Sequence, residues 1–219
     1  IIHNSEGDNI TPSCISFDGD TVDYTGKEAR AQLGLSDNVA ARFKRDMGSS
    51  KIYTINGHKH TPTDLSAIIL KRLLKDAKTV IGDIGQAVVT VPANFPNKAR
   101  VETTKAAKMA KLNAKLIDEP TAAALYYAYQ SGFSLQGNYV VYDLGGGTFD
   151  VSVVKLDGRD VKVLATDGIP RLGGDDFDTA LQEMIQKRYH KDTGKKLEQE
   201  DFTKTAAEDY KKSLSKRDV

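Results

Sequence analysis

The chain has 219 residues, 39% of them hydrophobic, with 31 Lys and Arg against 30 Asp and Glu and one cysteine. This length carries a sizeable core in one or two domains, and the balanced charge gives no overall pull toward nucleic acid or a membrane surface. A lone Cys14 excludes an internal disulfide framework and suits a reducing, cytoplasmic setting, and no apolar run approaches the roughly 20 residues of a membrane helix.

The opening "IIHNSEGDNITPS" has no initiator Met and no basic-then-apolar leader. It reads as a strand and turn already under way, as expected of a piece of a longer protein. Residues 1–60 read as short strands and irregular pieces joined by polar turns, with Asn56-Gly57 marking a hairpin between "KIYTI" and "HKH". The two histidines of His58-Lys59-His60 lack an evident third metal ligand, so they read as a polar hairpin end. "TPTDLSAIILKRLLKDAKTVIG" is the clearest helix. Thr61 caps it, Pro62 fits its first position, Asp64 favours its positive end and Gly82 stops it. Leu65, Ile68, Ile69 and Leu73 form its apolar stripe.

"QAVVTVP" reads as a buried strand ended by Pro92, "PNKARVETTKAAKMAKLN" as a helix, and "AKLID" as a short strand. "PTAAALYYAYQSG" is then a helix starting on Pro120, with Tyr126, Tyr127 and Tyr129 expected to pack inside the fold. Strand and helix alternate here, which argues for α/β architecture with parallel pairing. From Asn138 the texture changes to consecutive strands, an antiparallel meander whose second turn is an Asp-Gly hairpin. "GGDDFDTALQEMIQKRYHK" and "EDFTKTAAEDYKKSLSK" return to helix.

The meander contains "YVVYDLGGGTFDVSVVKL". Three successive glycines open backbone dihedrals closed to other residues and remove every Cβ from one side. The amides of Gly145, Gly146 and Gly147 can then point together into a concavity suited to an anion, with the Thr148 hydroxyl as a further donor. Asp143 would repel a phosphate unless a hard cation such as Mg2+ sits between them, taking carboxylate, water and phosphate oxygens together. The alternative is a flexible turn with a solvated aspartate. Neither G-x-x-x-x-G-K-[ST] nor a Rossmann glycine turn occurs, so any phosphate site here uses other means.

"DLGGGTFDVS", "IDEPTAAALYYAY", "AVVTVPANF", "TPSCISF", "FKRDMG" and "LGGDDFD" stand in the order found in the DnaK-type seventy-kilodalton heat-shock chaperones. Over nearly its whole length the chain resembles their N-terminal ATPase domain. The resemblance implies an α/β fold, the actin-like, ribonuclease-H-like bilobal fold of actin, hexokinase and sugar kinases, here in part. Lobe I would span 1–132 with a shortened outer subdomain over 14–61, and lobe II 133–219 with its outer subdomain over 173–219. It also implies ATP and ADP as ligands with Mg2+, K+ being a further candidate ion.

Position by position, Lys44 matches the lysine that positions the attacking water, Glu119 the acidic residue near the metal-bound water, and Asp143 the carboxylate holding Mg2+ through water. Thr148 matches the hydroxyl beside the γ-phosphate, and Asp150 an acidic residue near the metal, although its strand could equally turn it to solvent. Gly173 and Gly174 match a glycine pair near the cleft. Glu208, Lys211 and Ser215 share one helix face and match the adenosine side. Without the resemblance, Lys44 would read as one of a surface patch with Arg42 and Arg45, and the Glu208 face as solvated.

Departures accompany the matches. The stretch from Lys44 to Pro62 is short, resembling bacterial paralogues with a reduced outer subdomain. Gly168-Ile169-Pro170-Arg171 lacks the family's usual aspartate after the glycine. Pro92 and Arg100 match residues that relay nucleotide state, whereas Thr104 and Asn97 replace a usual lysine and aspartate. The implied partners are unfolded polypeptides, bound by a domain outside this chain, a J-domain co-chaperone and a nucleotide-exchange factor. The rival readings are a nucleotide-sensing, actin-like filament module with little turnover and a small-molecule kinase of the same superfamily.

Overall fold

The computed structural model describes residues 1–198 and 200–216; the outer subdomain expected over 173–219 therefore ends on positions outside the described residues. Strands β1 (Cys14–Asp18), β2 (Thr21–Thr25) and β3 (Val39–Ala41) form an antiparallel sheet in the order β2-β1-β3. A short helix α1 (Lys27–Ala31) follows β2, within a region whose sequence reads as irregular. A 3-10 turn, Phe43–Asp46, leads to the hairpin β4 (Tyr53–Ile55) and β5 (His58–His60). Asn56 and Gly57 both have positive φ, 52° and 81°, as a type I′ turn requires. His60 stacks at 4.7 Å on Phe17, so this end of the hairpin is part of the packing.

Helix α2 (Pro62–Ile81) begins as the sequence predicts. Thr61 and Asp64 form a reciprocal capping box, Pro62 opens the helix and Gly82 closes it. Its apolar stripe is narrower than expected. Leu65 and Ile69 are buried and Ile68 is partly so, but Leu73 is 43% exposed. One core joins Ile15, Phe17, Ala40, Phe43, Ile55, Leu65 and Ile69. Burying a side chain such as Phe43 contributes about 1.5–3 kcal/mol, which fixes the 3-10 turn to this core.

Strands β6 (Ala87–Val91) and β7 (Ala114–Asp118) are the parallel pair, connected through helix α3 (Asn97–Met109). The remaining sheets are antiparallel, so the expected parallel pairing is confined to this unit among the described residues. β6 is buried on one face only; Val88 is exposed. Gly48 has φ 77°, and a Cβ there would lie 2.7 Å from the Ala99 backbone nitrogen, so only glycine lets the end of the 3-10 turn meet α3.

Helix α4 (Glu119–Gln130) packs on the meander β8 (Gln136–Leu144), β9 (Phe149–Asp157) and β10 (Asp160–Ile169). The contact is made by Ala124 and Ala128 against Val154 and Leu156. Tyr126, Tyr127 and Tyr129 are therefore not internal; all three are more than half exposed, because the alanines already occupy the inward face. Gly158 has φ 60° in the turn between β9 and β10, as read from Asp-Gly. Helices α5 (Gly174–Thr193) and α6 (Lys204–Leu214) follow. No helix among the described residues is long and apolar enough to cross a membrane.

Candidate active site

A cleft of about 650 Å3 lies between the 3-10 turn and the β8–β9 turn, lined among others by Lys44, Glu119, Asp143, Gly145, Gly146, Gly147, Thr148 and Glu208. Strand register sets the acidic wall. Asp143 faces Asp150 and Leu144 faces Phe149, and the Gly145 N–H donates to the Thr148 carbonyl at 3.0 Å. The intervening amides of Gly146, Gly147 and Thr148 make no hydrogen bond among the described residues.

The turn does not use the left-handed dihedrals that its glycines would allow, and only Gly147 needs the missing Cβ for space; Gly145 and Gly146 have room for one. None of Gly145, Gly146 or Gly147 has a left-handed φ. A Cβ on Gly147 would lie 2.7 Å from Arg45 Nε, and Arg45 Nη2 donates to the Gly146 carbonyl at 3.0 Å. On the other side, a Cβ on Gly173 would lie 2.6 Å from the carbonyl oxygens of both Gly145 and Gly146. The Gly174 and Asp175 amides donate to those same carbonyls at 3.0 and 2.9 Å, so the start of α5 is bonded directly to the glycine turn.

Asp150 is 4% exposed, and neither of its carboxylate oxygens has a hydrogen-bond partner. It does not face solvent. Burial pushes its carboxyl above the ordinary value and the neighbouring charges of Glu119 and Asp143 add to this, while Thr148 and Lys44 pull the other way. A buried, unpartnered carboxylate beside a second one across the strand pair fits a hard cation with oxygen ligands. No three carboxylate, His or Cys side chains among the described residues stand together as a metal-binding group.

Lys44 projects from the 3-10 turn and its Nζ lies 2.8 Å from Glu119 Oε1 at the first residue of α4. Two anchors hold this pair. Phe43 is buried beneath the turn, and Asp46 accepts from Lys51 at 2.8 Å, from the Tyr53 hydroxyl at 2.7 Å and from Arg171 at 3.2 Å. Burial alone would raise the Asp46 pKa, but the bonds from Lys51 and Tyr53 and the charges of Lys51 and Arg171 hold it below the ordinary value. On the Glu119 side, Arg100 donates to the carbonyls of Pro92, Ala93 and Phe95 and to Asp118 at 2.7 Å, gathering the β6 exit and the start of α4.

Of the residues matched to the adenosine side, Glu208 lines the cleft, and each of the three is partnered within the protein. Glu208 is held by Arg30 at 2.7 Å and by Lys212 at 2.5 Å. Burial works to raise its pKa, but these two partners hold it down to about 2. Lys211 pairs with Asp178 and donates to the Gly174 carbonyl at 2.9 Å. Ser215 caps α6, its hydroxyl donating to the Lys211 carbonyl at 2.9 Å. Cys14 lines the cleft, and burial pushes its thiol up to about 11, which keeps it neutral and unreactive.

Sequence reasoning passed over the bonds that cross the cleft: Arg30 to Glu208 and Asp209, Arg42 to Asp175 at 2.6 Å, and Arg45 to Asp176 at 2.8 Å. The available signal was the spacing of Arg42, Lys44 and Arg45 opposite two consecutive aspartates, which composition alone reads as a surface patch.

A mixed α/β fold with a glycine turn and carboxylates around a cleft is, in part, the actin-like ATPase fold. The sequence profile described as Hsp70 protein matches residues 50–219. The chain belongs to the Hsp70 family, whose members are chaperones with an ATPase domain that binds ATP or ADP with Mg2+ and that work with unfolded clients and co-chaperones.

Proposed function

We propose that this chain is the ATP-binding and ATP-hydrolysing part of a DnaK-type cytoplasmic chaperone, in which nucleotide controls the grip of a separate domain on unfolded polypeptide. The observation that carries the reading is the Lys44–Glu119 pair in one cleft with Asp143 and the glycine turn, Asp150 being buried opposite Asp143 on the neighbouring strand. Phosphoryl transfer asks little covalent chemistry of a protein; it asks for position and for charge placed where charge develops. Lys44 favours negative charge on the γ-phosphate and orients the attacking water, and Glu119 fixes the ammonium. The Gly146, Gly147 and Thr148 amides receive phosphate oxygens, with the Thr148 hydroxyl alongside.

Asp143 and Asp150 would hold Mg2+ through water, where it supplies neutralising charge. Closure of the cleft on ATP and relaxation on ADP bias the client domain, a coupling between two sites. A J-domain protein and an exchange factor are proposed partners. The test is ATP turnover by the full-length protein, with and without an unfolded peptide. Peptide-stimulated hydrolysis supports the reading; ATP-dependent polymerisation without it replaces the reading with a filament module.

A further inference from the structure

Arg42 has no part in the chemistry just described, yet its backbone is the more costly kind. It sits at φ 62° and ψ 11°, a left-handed conformation that few residues other than glycine adopt. The twist falls between Ala41, the last residue of β3, and the buried Phe43, and Arg42 lines the cleft. From there Nε donates to Asp175 Oδ1 at 2.6 Å, bridging positions 133 apart in sequence.

The surroundings are overfilled with positive charge. Arg45 lies 2.8 Å from Asp176 and 3.8 Å from Asp175. Lys204, at the start of α6, feels the same group: burial lowers its pKa and Arg42 lowers it further. Arg42 and Arg45 thus pair with Asp175 and Asp176, and Lys204 adds a third positive charge nearby without an ion pair to either. Both Arg45 and the Asp175 amide bond the Gly146 carbonyl, which places the cluster against the glycine turn and its unbonded amides. Asp178 acts on Lys204 from a distance, but its own ion pair is with Lys211. Asp175 is then an internal anion occupying a guanidinium at the mouth of an anion site, and a ligand with several negative charges competes with it.

We propose that Arg42 is a further phosphate-binding residue of the cleft, held by Asp175 in the free protein and handed to the phosphate chain when a polyphosphate ligand enters. Asp175 therefore tunes affinity by competition, and the exchange rests on the nucleotide reading of the cleft given above. The pair resists the phosphate chain in proportion to its own strength, so weakening the carboxylate partner strengthens ligand binding.

The experiment measures binding of sodium tripolyphosphate to the full-length protein by calorimetry. The proteins are wild type, Arg42→Ala, Asp175→Asn and the double variant, with circular dichroism as the folding control. Arg42→Ala is expected to weaken binding about five-fold or more, and Asp175→Asn to strengthen it by a similar factor. In the double variant the gain from Asp175→Asn disappears. A gain of equal size with and without Arg42 is a plain charge effect and overturns the exchange. So does Asp175→Asn leaving affinity unchanged or lowered. If tripolyphosphate binds in the expected pattern but ATP fails to displace it, the nucleotide reading falls while the exchange stands. If ATP binds and tripolyphosphate binds no variant, the exchange falls alone.

Discussion

Lys44 and Glu119 meet at 2.8 Å although 75 positions separate them in the chain. The lysine is 56% exposed and the glutamate 19%, so the pair itself contributes little to stability. Removing the ammonium should then cost chemistry and not folding. Lys44→Ala in the full-length protein is expected to lower kcat by about 10²–10³ while ATP affinity changes little. Single-turnover hydrolysis set beside equilibrium nucleotide binding checks this; equal loss in both would make Lys44 a binding residue only.

Gly173 and Gly146 offer a matched pair of alanine substitutions. A Cβ on Gly173 meets two carbonyl oxygens at 2.6 Å, and those carbonyls belong to backbone that cannot swing away. A Cβ on Gly146 has open space around it. Gly173→Ala is expected to destabilise by about 1–3 kcal/mol and Gly146→Ala by under about 0.5 kcal/mol. Urea unfolding of both variants reads the difference.

Glu208 carries a pH dependence of known sign. Its carboxyl is held at about 2 in the folded protein against an ordinary 4.5. A depressed carboxyl contributes stability that is complete above the unfolded value and fades as pH falls toward the folded one. Between 4.5 and about 2 the urea midpoint of wild type should therefore fall more steeply than that of Glu208→Gln. Parallel curves would show that Arg30 and Lys212 do not hold the charge.

Asp150 predicts a trade between stability and activity. An ionised carboxylate with no partner is costly to bury, and its raised pKa states the same cost in another form. Asp150→Asn is expected to raise the melting temperature measured in EDTA and to abolish Mg2+-dependent turnover. A lower melting temperature in EDTA would mean that the carboxylate is satisfied within the fold.

What the sequence makes legible here is local. Thr61, Pro62, Asp64 and Gly82 delimit α2 because capping is decided within a few residues, and Asn56-Gly57 sets its hairpin for the same reason. The residues of the cleft could be named from motif resemblance, and Lys44, Glu119, Asp143, Thr148 and Glu208 do share one cavity. What could not be read depends on partners distant in the chain. Arg42 and Asp175 are 133 apart, and whether Leu73 or Tyr126 is covered depends on what packs over it. Gly147 and Gly173 illustrate the point: their need for space comes from Arg45 and from the Gly145 and Gly146 carbonyls, not from their own torsions.

The first turn of α3 carries one more consequence. Through the bare backbone of Gly48 it abuts the segment that bears Lys44, and through Arg100 and Asp118 it is tied to the residue preceding Glu119. Both members of the pair therefore border on the same helical turn. A displacement of α3 is then expected to reach the lysine and the glutamate together rather than one alone.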